Sequence, residues 1–536
     1  MQYKRFGVML DCSRNAVLKV SQVKKMIDEL VKLGYNTLEL YTEDTYEIED
    51  EPYFGYMRGR YTGAEIREID VYAQEKGVEL IPCIQTLAHL EGIFKHPAYA
   101  SVRDTANILL IDEEKTYALI EKMFQSIAQN FTSRLVNIGM DEAHMVGLGR
   151  YLDKHGYQNR FELLSRHLQK VLVIAEKYGF KPHMWSDMFF RLANGGNYYV
   201  DETFEMPQEV IDSVPNGVEL VYWDYYHTKK ADYDCNLAAH KKIGKPTWFA
   251  GGAWSWDGFA PHNRFSMETM RPAMESVREH GVENVLITMW GDNGGECSFF
   301  SLLPALYAIR QYADGNFDEA KIAEQFEKIF EVPFYDFMAL DLPNQALQPD
   351  DENFLYQHRN PCKALLYSDP FMGIKDKAYE KQGEIDWADY AATLARVGKK
   401  TKKYGYLFKT MQALCKTLVY KAGLGLKIRK AYKAKDRALL REAASDCGKA
   451  VVKLAAFQKC FYELWVKENK AFGWEIQDAR LGGLRSRLST CQKRLNAYML
   501  GSLGKIEELE AELLPTWEGD TVSLNNYELN ISWNNL

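Results

Sequence analysis

The longest apolar runs in the 536-residue sequence are five to eight positions, far short of the roughly 18–20 that span a bilayer. The start, Tyr3-Lys4-Arg5-Phe6-Gly7-Val8-Met9-Leu10, is too short and too soon interrupted to serve as the core of a secretory leader. Cysteine is scarce in pattern: nine residues, odd in number and scattered singly, with no Cys-x-x-Cys anywhere. A disulfide framework and a zinc ribbon are therefore not expected, and reduced thiols in a cytoplasmic protein are. Histidine is thin as well. Among eleven, His89 and His96 stand seven apart and His144 and His155 eleven apart, neither the close helical spacing of a zinc motif, so no metal and no cofactor are predicted.

What is present is ordinary globular composition, 46% hydrophobic and 26% charged, enough for several domains. The net charge of −8 hides an uneven distribution. Residues 401–500 hold 22 Lys and Arg against 7 Asp and Glu, while the other 436 residues hold 44 against 67. That basic block could bind nucleic acid. The favoured account is Lys-rich polar faces of helices, because the basic residues sit between apolar ones at helical spacing without a nucleic-acid motif. Neither a nucleic-acid nor a membrane partner is expected, and a homodimer is left open.

Over the first three hundred residues one unit recurs: a short apolar run, a loop, then an amphipathic stretch ending near Gly. The runs are Phe6–Leu10, Thr37–Tyr41, Val78–Ile84, Leu135–Met140, Lys181–Trp185, Val218–Trp223, Thr247–Ala250 and Val285–Met289. Helices are predicted at Ser21–Leu33, Thr62–Lys76, Asn159–Tyr178 and Phe265–His280, the second opening on Thr62 and Glu65 at capping-box spacing. Continuous apolar strands separated by helices imply a parallel sheet covered on both faces. Eight such units in about 310 residues match an α/β protein of the TIM (β/α)8 class. A doubly wound sheet would show a Gly-rich loop after its first strand, and Leu10-Asp11-Cys12-Ser13-Arg14 is not one. The expected organisation is a barrel over residues 1–317 and a mostly α-helical domain over 318–514. A tail, 515–536, could add a short strand.

In such a barrel the chemistry sits where strands end. The strand-end residues are Asp11 and Arg14; Tyr41, Glu43 and Asp44; Gln85 and His89; Asp141, Glu142 and His144; Trp185 and Asp187; Trp223, Asp224, Tyr225 and Tyr226; Trp254, Trp256 and Asp257; and Trp290, Asp292 and Glu296. Four successive strand ends each deliver a Trp. Flat indoles with hydroxyl-accepting carboxylates suit a sugar ring, whereas a phosphorylated ligand would call for Arg, Lys and Gly-rich turns. The sharpest feature is Gly139-Met140-Asp141-Glu142, two adjacent acids ending a buried strand, where mutual repulsion should separate their proton affinities. A helix cap plus a first-turn acid would leave the same trace.

On Asp11-Cys12-Ser13-Arg14, Thr86-Leu87-Ala88-His89, Gly139-Met140-Asp141-Glu142 and Trp185, Trp223 and Trp290, the predicted barrel resembles the glycoside hydrolase family 20 β-N-acetylhexosaminidases. The resemblance implies a retaining, substrate-assisted reaction on terminal GlcNAc or GalNAc of a small oligosaccharide or glycoside. Glu142 would be the general acid and base, and Asp141 would orient the 2-acetamido group. Trp185, Trp223, Trp254 and Trp290 would wall the sugar, Arg14 and Asp292 would bind its hydroxyls, and His89 would tune the acid. Where the family has His-x-Gly-Gly-Asp-Glu this chain has Asn137-Ile138-Gly139-Met140-Asp141-Glu142. Its Tyr-x-Asp on the seventh strand is replaced by Trp254-Ser255-Trp256-Asp257, which transfers the acetamido-oxygen contact to Tyr225, with Tyr226 as substitute. Its Trp-x-Glu reads Trp290-Gly291-Asp292, one methylene shorter. The domain that usually precedes the barrel is expected to be missing, and the helical domain resembles that of a bacterial intracellular branch. Two other readings stay open: a barrel glycosidase with Asp292 or Glu296 as nucleophile, and a sugar-binding protein without activity.

Overall fold

A computed structural model describes residues 3–345, 360–374, 376–382 and 385–514. The tail expected over 515–536 lies outside the described residues. The chain divides into two compact units. One comprises Met1–Ala253, Ser266–Trp290 and Ala305–Asp318, and the other Trp254–Phe265, Gly291–Pro304 and Glu319–Leu536.

The first unit holds eight parallel strands that close in sequence order: β1 (Arg5–Asp11), β2 (Thr37–Tyr41), β3 (Glu79–Cys83), β4 (Leu135–Asn137), β5 (Lys181–Trp185), β6 (Glu219–Trp223), β7 (Thr247–Gly252) and β8 (Asn284–Met289). β1 closes the ring on β8, with Phe6 beside Val285 and Leu10 beside Met289. The strands are buried nearly throughout, which is why their sequences read as unbroken apolar runs. Outside them, the helix Val20–Leu33 turns Val23, Met26, Ile27, Leu30 and Leu33 inward at three- and four-residue intervals. The helix Gly63–Glu75 starts from a complete capping box: Glu65 N–H donates to the Thr62 hydroxyl (3.2 Å) and Thr62 N–H to the Glu65 carboxylate (2.9 Å).

β4 departs from its expected length. It stops at Asn137 instead of Met140, because Gly139 (φ +71°) and Met140 (φ +68°) leave the extended region. Within the barrel, β2 and β5 meet through a buried Glu39–His183 contact of 2.7 Å, and His183 stacks on Trp248 with centroids 4.4 Å apart.

The second unit is helical, its main elements being Trp387–Lys400, Gly405–Lys421, Leu424–Lys433, Arg437–Glu468 and Trp474–Leu500. Their inner faces bury Leu394, Phe408, Leu418, Leu454, Phe461 and Leu488. Much of the basic block is paired inside this unit: Lys409 with Glu463 (2.7 Å), Lys427 with Glu442 and Asp446 (2.6 and 2.7 Å), and Arg487 with Asp369 (2.5 Å). The charge excess read from sequence is thus partly spent on holding helices together. Among the described residues, no helix is long and apolar enough to cross a membrane.

Candidate active site

At the C-terminal ends of β1–β4 the side chains form one connected polar cluster. Arg14 pairs with Glu43, and its guanidinium lies 5.8 Å from the centre of the Tyr41 ring. Tyr41 donates its hydroxyl to Glu43 (3.1 Å) and accepts from the Gln85 amide (3.0 Å). The same Gln85 nitrogen donates to Asp141 Oδ1 at 2.7 Å, while Gln85 Oε1 accepts the Met140 N–H at 3.2 Å. His89 Nε2 approaches Asp141 Oδ2 at 3.2 Å and Glu142 Oε2 at 3.7 Å. Asp141 thus accepts a hydrogen bond at Oδ1 and meets the imidazole at ion-pair distance at Oδ2.

The electrostatics follow from those contacts. Burial works to raise the Asp141 carboxyl, but the His89 charge and the Gln85 hydrogen bond outweigh it and hold Asp141 below the ordinary carboxylate value. For His89, burial works downward and Asp141 more than reverses it, leaving the imidazole at about 10. The pair is a buried imidazolium and carboxylate. Asp187, delivered by β5, is pushed up to about 7 by burial, with the Asp141 charge adding to it.

Asp187 opens the helix Asp187–Ala193 and is fully buried. Its Oδ2 accepts the Glu142 backbone N–H (3.0 Å) and Arg191 Nε (3.2 Å). Arg191 Nη2 in turn stands 3.9 Å from Glu142 Oε1. The Glu142 side chain keeps 44% of its surface exposed and Asp141 only 13%, so the former faces the solvent side of the pair.

Aromatic rings complete the circuit. Tyr41 meets Trp290 edge-on at 4.8 Å, and Trp290 lies 6.0 Å from Trp185. Tyr225 hydrogen-bonds the Trp290 and Thr288 side chains and stacks on Trp223 at 5.3 Å and 15°. Arg191 lies over the Trp223 ring at 5.9 Å. Contacts thus run unbroken from Asp141 through Gln85, Tyr41, Trp290, Tyr225, Trp223 and Arg191 to Glu142, a wall of alternating polar edges and apolar faces.

Of the residues expected at the site, Arg14, His89, Asp141, Glu142, Trp185, Trp223, Tyr225 and Trp290 join this network. Trp185 is buried to 1% exposure, its indole N–H lacking a hydrogen-bond partner. Trp254 and Asp292 belong to the other unit. There Trp254 stacks on Trp256 at 3.9 Å, and the Asp292 carbonyl accepts the Asp257 N–H at 3.1 Å. Glu296 does not fit the role of nucleophile. Its side chain is fully buried between Lys363 (2.7 Å) and Arg480 (3.1 Å), a structural ion cluster with no oxygen open to a sugar. Tyr41, Glu43, Gln85 and Asp187 stood among the strand-end residues without a role, and Arg191 was not read at all. Its one trace in sequence was the four-residue spacing from Asp187, the distance at which helical residues pair.

Gly139 supports the arrangement. A Cβ there would come within 2.1 Å of Gln85 Oε1, on a backbone already at φ +71°. Gly139→Ala is expected to cost about 1–2 kcal/mol from the left-handed backbone alone, read by thermal unfolding. It should also push Gln85 off Asp141, lowering turnover at unchanged protein concentration.

Residues 3–230 match the glycosyl hydrolase family 20 catalytic domain, and residues 335–526 match the Glycoside Hydrolase 20C C-terminal domain. Among curated proteins the chain is similar to hexosaminidase D of Homo sapiens, 27% identical over 256 residues, which cover 45% of this chain and 49% of that protein. Hexosaminidase D of Bos taurus is 25% identical over 284 residues, covering 50% of this chain and 75% of the relative. Among solved structures, the Flavobacterium johnsoniae chitobiase aligns over 95% of this chain and 74% of its own, at 16% identity and a TM-score of 0.48. The chain spans about half the length of the human relative. With the first six barrel strands and the helical region matched by two models of the same family, which together cover most of the sequence, the chain belongs to glycoside hydrolase family 20.

Proposed function

We propose that the protein is an exo-acting, retaining β-N-acetylhexosaminidase that removes terminal GlcNAc or GalNAc from small glycosides in the cytoplasm. The observation that carries this reading is Asp141, a carboxylate kept ionised by the His89 charge and oriented by the Gln85 hydrogen bond beside a half-exposed Glu142. Each Asp141 oxygen has acceptor capacity left for an amide N–H. The 2-acetamido carbonyl oxygen attacks the anomeric carbon as the glycosidic C–O bond breaks, and Glu142 delivers its proton to the departing oxygen. The amide nitrogen gains positive charge in the resulting oxazolinium ring, and Asp141 accepts its N–H. Water then adds to the anomeric carbon, Glu142 takes the water proton, and the ring reopens to the retained sugar. An internal nucleophile replaces an enzyme carboxylate, and its effective concentration supplies much of the rate. The names of the curated relatives support the substrate class, and the nine free cysteines support a reducing compartment.

The test is kinetics on paired aryl β-glycosides. The GlcNAc and GalNAc substrates should turn over at least about 10³-fold faster than the Glc and Gal counterparts, which lack the internal nucleophile. Comparable turnover of 2-hydroxy substrates would overturn the reading in favour of an enzyme nucleophile.

A further inference from the structure

We propose that Asp187 and Arg191 are positioning residues for Glu142, with Asp187 holding both the Glu142 peptide and the Arg191 guanidinium so that this cation stands near the acid without closing on it. The inference rests on the reading of Glu142 as proton donor and acceptor. Three observations carry it.

First, Glu142 sits at φ +49°, a left-handed conformation that residues with a side chain seldom adopt unless something holds them there. The fully buried Asp187 accepts its N–H at 3.0 Å. Second, Arg191 is braced on three sides, its Nη1 donating to the Gly196 carbonyl at 3.3 Å. Asp187 accepts its Nε at 3.2 Å, and the Tyr198 and Trp223 rings lie 5.7 and 5.9 Å from its guanidinium carbon. Third, the distance left to Glu142 Oε1 is 3.9 Å, beyond the roughly 2.7–2.9 Å of a charge-assisted hydrogen bond. A full ion pair would fix Glu142 as a carboxylate and remove it as an acid. A wholly absent cation would leave it a weak donor. Asp187 sets the intermediate case by competing for the same guanidinium.

Other charged groups around Glu142 include His89 at 3.7 Å, its chain neighbour Asp141, and His144, whose proton affinity is lowered by burial and by the Arg191 charge. Asp187 itself faces Asp141, Arg191 and Glu142, and its Oδ1 is buried without a hydrogen-bond partner. No second donor is bonded to that oxygen, so the hold of Asp187 on Arg191 depends on its own charge, which it carries in full only above about pH 7, the range of the alkaline limb.

The experiment compares Asp187→Asn with Arg191→Met in the full chain, across pH, on an alkyl β-GlcNAc glycoside, whose leaving group needs the proton of Glu142. In the Asn variant the amide oxygen can still accept the Glu142 N–H, but the anion that restrains Arg191 is gone. Arg191 should close on Glu142 and move the alkaline limb of kcat/KM to lower pH, by about one unit for an opposite charge brought into contact. Arg191→Met removes the cation, so the limb should move the other way. KM should change less than kcat in both. A merely structural role would lower the unfolding temperature and the activity of both variants while leaving the limbs in place, and that result, or shifts in the same direction, overturns the proposal. If the wild-type protein fails to turn over the glycoside, the functional reading fails instead. The Glu142 carboxyl, titrated by carbon NMR in the same three proteins, then decides the inference separately, with opposite shifts expected and parallel or absent shifts refuting it.

Discussion

Glu142→Gln is expected to reduce kcat/KM on β-GlcNAc glycosides of alkyl or sugar leaving groups by about 10³–10⁴-fold, the upper part of what a positioned proton donor supplies. The leaving group decides the size. An alkoxide needs the proton as the glycosidic bond breaks, whereas a nitrophenolate leaves with little help. The loss should therefore shrink markedly for nitrophenyl substrates in the first step, while the second step, activation of water, stays impaired for both. A burst of nitrophenolate followed by slow turnover is the pattern to measure. Gln preserves the shape of the side chain and its neighbours His89 (3.7 Å) and Arg191 (3.9 Å), so folding should be nearly unaffected. Equal losses for good and poor leaving groups would argue that Glu142 acts only through the pocket's shape.

The barrel was legible because its strands are covered on both faces, so Thr37–Tyr41 and Lys181–Trp185 announce themselves as apolar runs with the observed ends. β4 was read three residues too long, since Ile138 and Met140 are as apolar as the strand before them. Only the backbone shows that Gly139 and Met140 have already turned into the loop. The Asp141–Glu142 pair stood out by adjacency. Its partners did not, because Gln85 lies 56 residues before Asp141, and Asp187 lies 45 residues after Glu142. Strand-end position alone marks such residues as candidates without saying which of them meet. Glu296 shows the reverse error. It occupies the eighth strand end like a catalyst, yet Lys363 and Arg480, far along the chain, claim its carboxylate. Sequence spacing reports faces of single elements; pairings between loops depend on how the loops turn.

Asp141→Asn is expected to remove the amide-stabilising charge and lower kcat/KM on 2-acetamido substrates by about 10²–10³-fold, as for other preorganised electrostatic contacts to a transition state. The variant has a second signature, in His89. With Asp141 ionised the imidazole is held at about 10. Without that charge, burial and the nearby Arg14 act downward against the smaller upward pull of Glu43, so His89 should titrate below its ordinary value of 6.5, observable by NMR of the ring. Stability changes with it. A histidine raised in the folded state contributes fully below its unfolded value of about 6.5 and loses that contribution as pH rises through about 10. Asp141, lowered in the folded state, contributes above its unfolded value of about 3.9 and loses it as pH falls through the folded one. The difference in unfolding temperature between wild type and variant should therefore be largest between about pH 4 and 6.5 and fade on both sides. These readouts separate two roles of one carboxylate. A variant that shows the His89 and stability changes but keeps wild-type turnover would leave Asp141 as a structural partner of His89 and remove it from the reaction.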